Sequence, residues 1–63
     1  MRYIIKDWAG NILNFRGKIE RPEFAVPMEF DTDEDAFTYL QENYSEEEQG
    51  ELVVLPNKKN INE

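Results

Sequence analysis

Residues 30–44 read FDTDEDAFTYLQENY, and the rest of the chain has to be arranged around this stretch. Thr32 is suited to be the N-cap of a helix, with Asp35 three residues later in the capping-box position. Three carboxylates crowd the first turn, where the positive end of the helix dipole stabilises them. The helix is predicted to end near residue 44 or to fray towards a left-handed cap at Gly50. Its apolar stripe has the helical period and consists of Ala36, Phe37, Leu40 and Tyr44.

A β-hairpin is predicted upstream, over residues 2–16. Residues 2–8, RYIIKDW, are rich in β-branched and aromatic side chains, which fit a pleated strand. Gly10 and Asn11 both tolerate the positive φ that a tight turn requires. Residues 12–15, ILNF, then resume the apolar pattern of a second strand.

Two further segments are predicted to be extended. Pro22 and Pro27 cannot donate to a strand ladder, so residues 19–30 form an edge strand or an extended crossing. Apolar residues alternate there with other types, which lets one side of the segment lie on the core. Residues 52–55, LVVL, form a short strand that ends at Pro56. The alternating apolar residues are Phe24, Val26, Met28 and Phe30.

This order of elements predicts a single small α+β domain of ββαβ type over residues 1–56. A three-stranded sheet carries the last strand beside the first, and the helix packs on one face because its apolar stripe has no other surface to cover. Residues 57–63 are predicted to be a flexible polar tail. Trp8 is either an exposed binding anchor or, as we favour, packs over the end of the hairpin. The predicted core comprises Ile5, Trp8, Phe15, Phe30, Phe37, Leu40, Tyr44 and Val53.

Composition excludes several classes of protein. The chain has 63 residues with no Cys and no His, so disulfides, imidazole or thiolate metal sites and catalytic triads are excluded. A chain this short has little interior left for a pocket once its own core is filled, which argues against an enzyme and against a cofactor. The formal charge of −7 argues against direct binding to nucleic acid. No apolar run is long enough for a membrane span.

The charge is concentrated in one part of the chain. Residues 29–56 contain ten acids and no base, whereas residues 1–28 contain five bases and three acids. A block of one sign repels itself, and binding a partner of opposite charge relieves that repulsion. The alternative is that the acids only keep a small domain soluble.

Two other patterns point to different chemistry. Acids at positions 31, 33, 35 and 42 match the ligand spacing of a calcium-binding EF-hand loop, but Ala36 stands where the loop needs Gly and a helix is predicted there instead. The bases Arg16, Lys18 and Arg21 lie near aromatic residues, a pattern that also occurs in nucleic-acid-binding proteins. Three scattered bases in a negative field make that interpretation weak.

The hairpin sequence Asp7-Trp8-Ala9-Gly10-Asn11, followed by the acid-capped helix, resembles small uncharacterised proteins of tailed bacteriophages. The resemblance carries no catalytic residues with it. It implies a context, because small acidic phage products often bind and disable a host protein. Some of them present carboxylates in place of DNA phosphates.

These observations predict a small non-enzymatic module that binds a larger host protein through a basic surface on that protein. The expected role is that of an anti-defence inhibitor or modulator in the host cytoplasm, present as a monomer or weak homodimer. The alternative is a structural protein that self-assembles through an exposed strand edge. The residues predicted to contact the partner are Asp33, Glu34, Asp35, Tyr39, Glu42, Glu46, Glu47 and Glu48.

Overall fold

A computed structural model describes residues 2–57 and confirms the α+β class. Four antiparallel strands form one sheet, and two helices lie between the third and fourth strands along the chain. The elements are β1 Tyr3–Asp7, β2 Ile12–Leu13, β3 Ile19–Glu20, α1 Asp33–Asn43, α2 Glu46–Gln49 and β4 Leu52–Pro56.

The strand order is β3-β2-β1-β4, so the last strand lies beside the first, as predicted. All five residues of β1 pair with β4, from Tyr3 opposite Pro56 to Asp7 opposite Leu52. The predicted three strands are one too few, because β3 adds a two-residue pairing to β2. A tight turn makes this pairing possible: Gly17 adopts a φ of 81°, and the Asn14 N–H donates to the Lys18 carbonyl at 2.7 Å.

The first hairpin turn is closed by the side chain of Asp7. Its Oδ1 accepts the backbone N–H groups of Ala9 at 3.0 Å and Asn11 at 2.8 Å. Gly10 supplies the positive φ, 92°, that the turn requires, whereas Asn11 does not. A Gly followed by a polar residue therefore predicted the turn correctly, although only the Gly uses its conformational freedom.

Helix α1 begins as the sequence predicted. The Thr32 Oγ1 accepts the Asp35 N–H at 3.1 Å, and Tyr44 is the C-cap. The chain then starts a separate helix, because Ser45 and Glu48 form a capping box in which each side chain accepts the other residue's N–H. The predicted left-handed cap at Gly50 is wrong, since Gly50 has a φ of −66°.

The core is formed where α1 covers β1, β2 and β4. Ile5 and Leu13 are completely buried beneath α1. Ala36 and Leu40 are the buried residues of the helix, as its predicted stripe required. The partly buried residues packed around this centre are Met28, Phe30, Tyr39, Tyr44, Leu52 and Val54.

Several predicted core residues lie elsewhere. Trp8, Phe15 and Phe37 are exposed, with 75%, 56% and 51% of their surface accessible. Trp8 lies in the hairpin turn and Phe15 in the turn before β3, where no element covers them. Val53 pairs with Lys6 and therefore points to the sheet face opposite Ile5, away from α1.

The segment predicted as an edge strand or an extended crossing, residues 19–30, is extended only in part. It begins with β3, residues 22–24 then form a turn in which the Phe24 and Ala25 N–H groups donate to the Arg21 carbonyl, and the later residues are held by single bridges from Asn14 to Pro27 and from Tyr3 to Phe30. Only its second half follows the predicted alternation: Met28 and Phe30 contact the core, while Phe24 and Val26 are exposed.

Asn57 is the first residue of the predicted tail, residues 57–63. Asn57 donates its backbone N–H to the Arg2 carbonyl and its side-chain amide to Glu29, which continues the β1–β4 pairing. The remainder of that prediction, residues 58–63, lies outside the described residues.

Candidate docking surfaces

The first candidate surface is the acidic face, which we define as the seven exposed carboxylates of α1 and α2: Asp33, Glu34, Asp35, Glu42, Glu46, Glu47 and Glu48. None of them takes part in an ion pair within residues 2–57. The ion pairs lie elsewhere. Arg2 Nη1 lies 3.5 Å from Glu29 Oε1, and Arg2 Nε lies 3.4 Å from Asp31 Oδ1. Arg21 Nη2 lies 3.1 Å from Glu23 Oε2. The bases in the first half of the chain therefore leave the helical acids unneutralised.

The carboxylates of α1 cover the whole solvent side of the helix and do not form one row. Successive residues are about 100° apart around a helix axis, which places Asp35 and Glu42 on one flank and Asp33 on the other. Glu34 lies between the two flanks. A partner would therefore meet a broad negative field, to which the three consecutive acids of α2 also contribute.

Tyr39 differs from the other residues predicted on this surface, because it is partly buried. Its ring packs against Phe30, with the centroids 5.5 Å apart, and against Tyr44 at 6.4 Å. A Cβ added at Gly17 would lie 3.0 Å from the Tyr39 hydroxyl oxygen, so the side chain also reaches the β2–β3 turn. The exposed aromatic of α1 is Phe37, which the sequence pattern had assigned to the core.

Tyr44 joins the two helices at the edge of the acidic face. Burial raises the pKa of its hydroxyl, and the nearby Tyr39 and Glu48 raise that pKa further. The Gln49 side-chain amide donates to the Tyr44 carbonyl at 2.9 Å, which fixes α2 against the end of α1. The orientation of the acids of α2 is therefore set by contacts with the body of the protein.

The second candidate surface is the aromatic pocket, which sequence reasoning missed as a site. Four of the large exposed hydrophobic residues lie in residues 15–26, and three of them border a cavity of about 170 Å³. Arg16 extends over the Phe15 ring, with its guanidinium carbon 5.3 Å from the ring centroid. The lining residues are Asn14, Phe15, Arg16, Glu20, Phe24 and Val26.

Asn14 organises this pocket. It is 6% exposed, and its Oδ1 accepts the backbone N–H groups of Arg16 at 2.9 Å and Lys18 at 3.0 Å. Its Nδ2 donates to the Glu20 carboxylate at 2.9 Å. The signal in the sequence was an Asn three residues before a Gly, a pattern typical of a side chain that holds its own turn. The bases nearby had been noticed only as a weak nucleic-acid pattern.

The third candidate surface is the outer edge of β4. Ladder bonds alternate between the two sides of a strand, and Asn57 donates towards β1. The N–H and C=O groups of Leu52 and Val54 therefore point away from the sheet. Strand β4 contains no charged residue, and Pro56 removes one donor from the edge.

The described residues also bear on metal binding and on membrane spanning. Within residues 2–57 no cluster of three or more acidic side chains has the arrangement of a metal site. The calcium-loop spacing is occupied by a helix from residue 33 onwards. Neither α1 nor α2 has the length and apolar character needed to cross a bilayer.

The chain was also compared with known proteins by family, by sequence and by structure. No protein-family model, no curated protein and no solved structure matches it.

Proposed function

We propose that this protein is a non-enzymatic binding module whose acidic face docks on a cationic surface of a larger protein. The observation that carries the proposal is that seven exposed carboxylates lie together on α1 and α2 without an ion-pair partner among residues 2–57. A self-repelling surface of this kind is relieved when Lys and Arg side chains of a partner approach it.

The mechanism has two stages. The negative field first steers the encounter at long range, and charge-assisted hydrogen bonds from Arg and Lys to the carboxylates then hold the complex. Phe37 is the aromatic anchor of this surface, because it is half exposed between the acids of the first turn and Glu42. Tyr39 acts indirectly, by packing on Phe30 and supporting the helix.

The partner class follows from the same chemistry. A groove that binds phosphate backbones offers the required row of cations, so carboxylates of the acidic face would occupy phosphate positions and block it. Blocking such a groove is the behaviour that the resemblance to small phage proteins implies. Under this proposal the protein acts in the host cytoplasm as an inhibitor or modulator.

The test is affinity purification from host lysate followed by measurement of the captured partner's affinity at several salt concentrations. We expect a steep loss of affinity between about 50 and about 500 mM NaCl because the pairs are exposed and screened. A salt-independent affinity would contradict the electrostatic mechanism.

Two double variants with the same change in net charge make this test specific. E42Q/E47Q removes two carboxylates from the acidic face, whereas E23Q/D31N removes two exposed carboxylates outside it. We expect only the first pair to weaken binding, by about 0.2–1 kcal/mol per lost contact. Equal losses in both variants would show that overall charge, and not this face, is recognised.

A second candidate function is self-assembly, and the observation that favours it is the open, uncharged edge of β4. Two copies pairing antiparallel along this edge would join their outward N–H and C=O groups at Leu52 and Val54. Because each copy carries a charge of −7, this association should strengthen as salt rises, the reverse of partner binding. If the protein sediments only as a monomer at high protein and salt concentration, self-assembly through this edge is eliminated.

A further inference from the structure

The aromatic pocket is lined by residues between 14 and 26 and shares no residue with the acidic face. The two exposed phenylalanines at its rim, Phe15 and Phe24, belong to different turns that a backbone bond between Phe15 N–H and the Val26 carbonyl holds together at 2.8 Å. The buried Asn14 also holds the backbone of the first of these turns through Arg16 and Lys18, so hydrogen bonds fix the backbone that carries the rim. A preformed site loses less conformational entropy on binding than a mobile one.

The cavity volume limits what the pocket can hold. An engineered cavity of about 150 Å³ with an apolar lining accepts one benzene ring in another protein. At about 170 Å³ the aromatic pocket therefore has room for one side chain the size of phenylalanine or leucine. The apolar part of its lining, two phenyl rings and Val26, can pack against such a side chain, while Asn14, Arg16 and Glu20 give the rest of the lining a polar character.

The charges around the cavity define the neighbours of that side chain. Arg16 and Lys18 are exposed and form no ion pair within residues 2–57. Arg21 is paired with Glu23, and the Glu20 carboxylate accepts the Asn14 amide. Counting both signs, residues 14–26 carry three bases and two acids, so the rim has a small local positive charge in a molecule whose net charge is negative, and carboxylates beside the inserted side chain complement its unpaired cations.

We propose that the aromatic pocket is a second docking site, which takes a phenylalanine- or leucine-sized side chain flanked by carboxylates on a partner protein. A nucleobase is also ring-sized, but a nucleic acid would bring its phosphates towards a chain with a charge of −7. An acidic peptide segment is the better match because its few carboxylates lie beside the inserted side chain, whereas a nucleic acid adds a phosphate with every nucleotide.

The test is an NMR titration of the labelled full-length chain with the acetylated peptide Glu-Asp-Phe-Glu-Asp. We expect shifts at Phe15, Arg16, Phe24 and Val26. The peptide Glu-Asp-Ala-Glu-Asp should bind at least about fivefold more weakly because it lacks the anchoring ring. Equal binding of the two peptides, or no shift at the pocket at millimolar peptide, would overturn the proposal.

Two exposed aromatic residues provide matched variants. F24S removes a rim residue of the pocket and W8S removes an exposed ring from the first hairpin turn, and both residues are more than half accessible. We expect F24S to weaken peptide binding at least about fivefold and W8S to leave it unchanged. Equal effects of the two variants would mean that the pocket is not the binding site.

Two further ligands separate this proposal from its competitors. Octathymidylate that shifts the pocket residues where the acidic peptide does not would assign the pocket to nucleic acid and overturn the proposal. The peptide Lys-Lys-Phe-Lys-Lys should shift residues of the acidic face, and its preference for the pocket would also count against the proposal. Because the acidic and basic peptides report on different surfaces, the pocket and the proposed function can fail independently.

Discussion

The acidic face and the aromatic pocket are organised by opposite means. On the acidic face the backbone is regular helix, and the seven carboxylates are exposed without an ion-pair partner among residues 2–57. At the aromatic pocket the backbone is a pair of turns, and one buried amide, that of Asn14, fixes three neighbouring residues. The first surface depends on charge and the second on geometry.

The two surfaces should therefore differ in their sensitivity to single substitutions. Removing any one carboxylate from the acidic face leaves six others, so the effect on the field is gradual. Removing Asn14 leaves the partly buried N–H groups of Arg16 and Lys18 without their acceptor at once, and a polar group left unsatisfied costs more than an average hydrogen bond gains. The pocket should therefore respond sharply to single substitutions and the acidic face should not.

The largest effect is expected for Asn14→Ala, which removes three hydrogen bonds at a position that is 6% exposed. We expect the free energy of unfolding to fall by about 2–3 kcal/mol, since N–H groups of Arg16 and Lys18 lose their acceptor. Urea denaturation measures this loss. Asn43→Ala is the control, because Asn43 is exposed and donates only to a carbonyl of its own helix. Similar losses of unfolding free energy in both variants would contradict the expectation that the pocket is the more sensitive of the two surfaces.

A smaller effect, with a sign that depends on position, is expected on the acidic face. Helix α1 has three acids in its first turn and no base in its last, so Glu42→Lys should stabilise the protein by about 0.3–1 kcal/mol through the helix dipole. Glu34→Lys makes the same charge change in the first turn and should destabilise it. Thermal unfolding at low salt measures both, and two shifts of the same sign would contradict this explanation.

The smallest effect is expected for the pH dependence of stability at the first hairpin turn. The side chain of Asp7 holds this turn, as the side chain of Asn14 holds the turn at the pocket. Desolvation raises the pKa of Asp7, but hydrogen bonds from Asn11, Ala9 and Gly10 outweigh it and bring the pKa below its ordinary value of 3.8. A lowered pKa in the folded state means that this stabilisation is present above about pH 4 and is lost as the pH falls through the folded-state pKa. Urea denaturation between pH 6 and pH 2 should show a shallower acid loss for Asp7→Asn, and an unchanged slope would contradict the assignment.

Local signals in the sequence predicted the regular elements well. The Thr32 cap, the hairpin turn at Gly10 and the position of the last strand beside the first each depend on a few adjacent residues or on the need to cover an apolar stripe. The second helix was missed because its capping box, Ser45 with Glu48, was interpreted as fraying. Strand β3 lies within the segment predicted as an edge strand or an extended crossing, but it was not counted among the three predicted strands because a two-residue pairing leaves almost no periodic signal.

The position of aromatic side chains was harder to predict. Phe37 and Tyr39 lie on opposite edges of the buried face of α1, and the apolar period alone favoured Phe37 as the inward residue. Tyr39 is the more buried of the two because Phe30 and Tyr44 are placed to pack against it. That choice is made by tertiary contacts, as is the exposure of Phe15 and Phe24. The acidic face could be proposed without knowledge of tertiary contacts, since its charges can be read directly from the sequence.

Trp8, in the hairpin turn, has a consequence for measurement. It is the single tryptophan of the chain, and its indole N–H donates to the Gly50 carbonyl at 3.2 Å while three quarters of the side chain remains in solvent. The bond links two segments that are 42 residues apart in sequence, next to the C-terminal end of α2. The intrinsic tryptophan fluorescence therefore comes from one defined position. A ligand that shields the indole or separates it from Gly50 should change this fluorescence, so its binding can be measured without an added label.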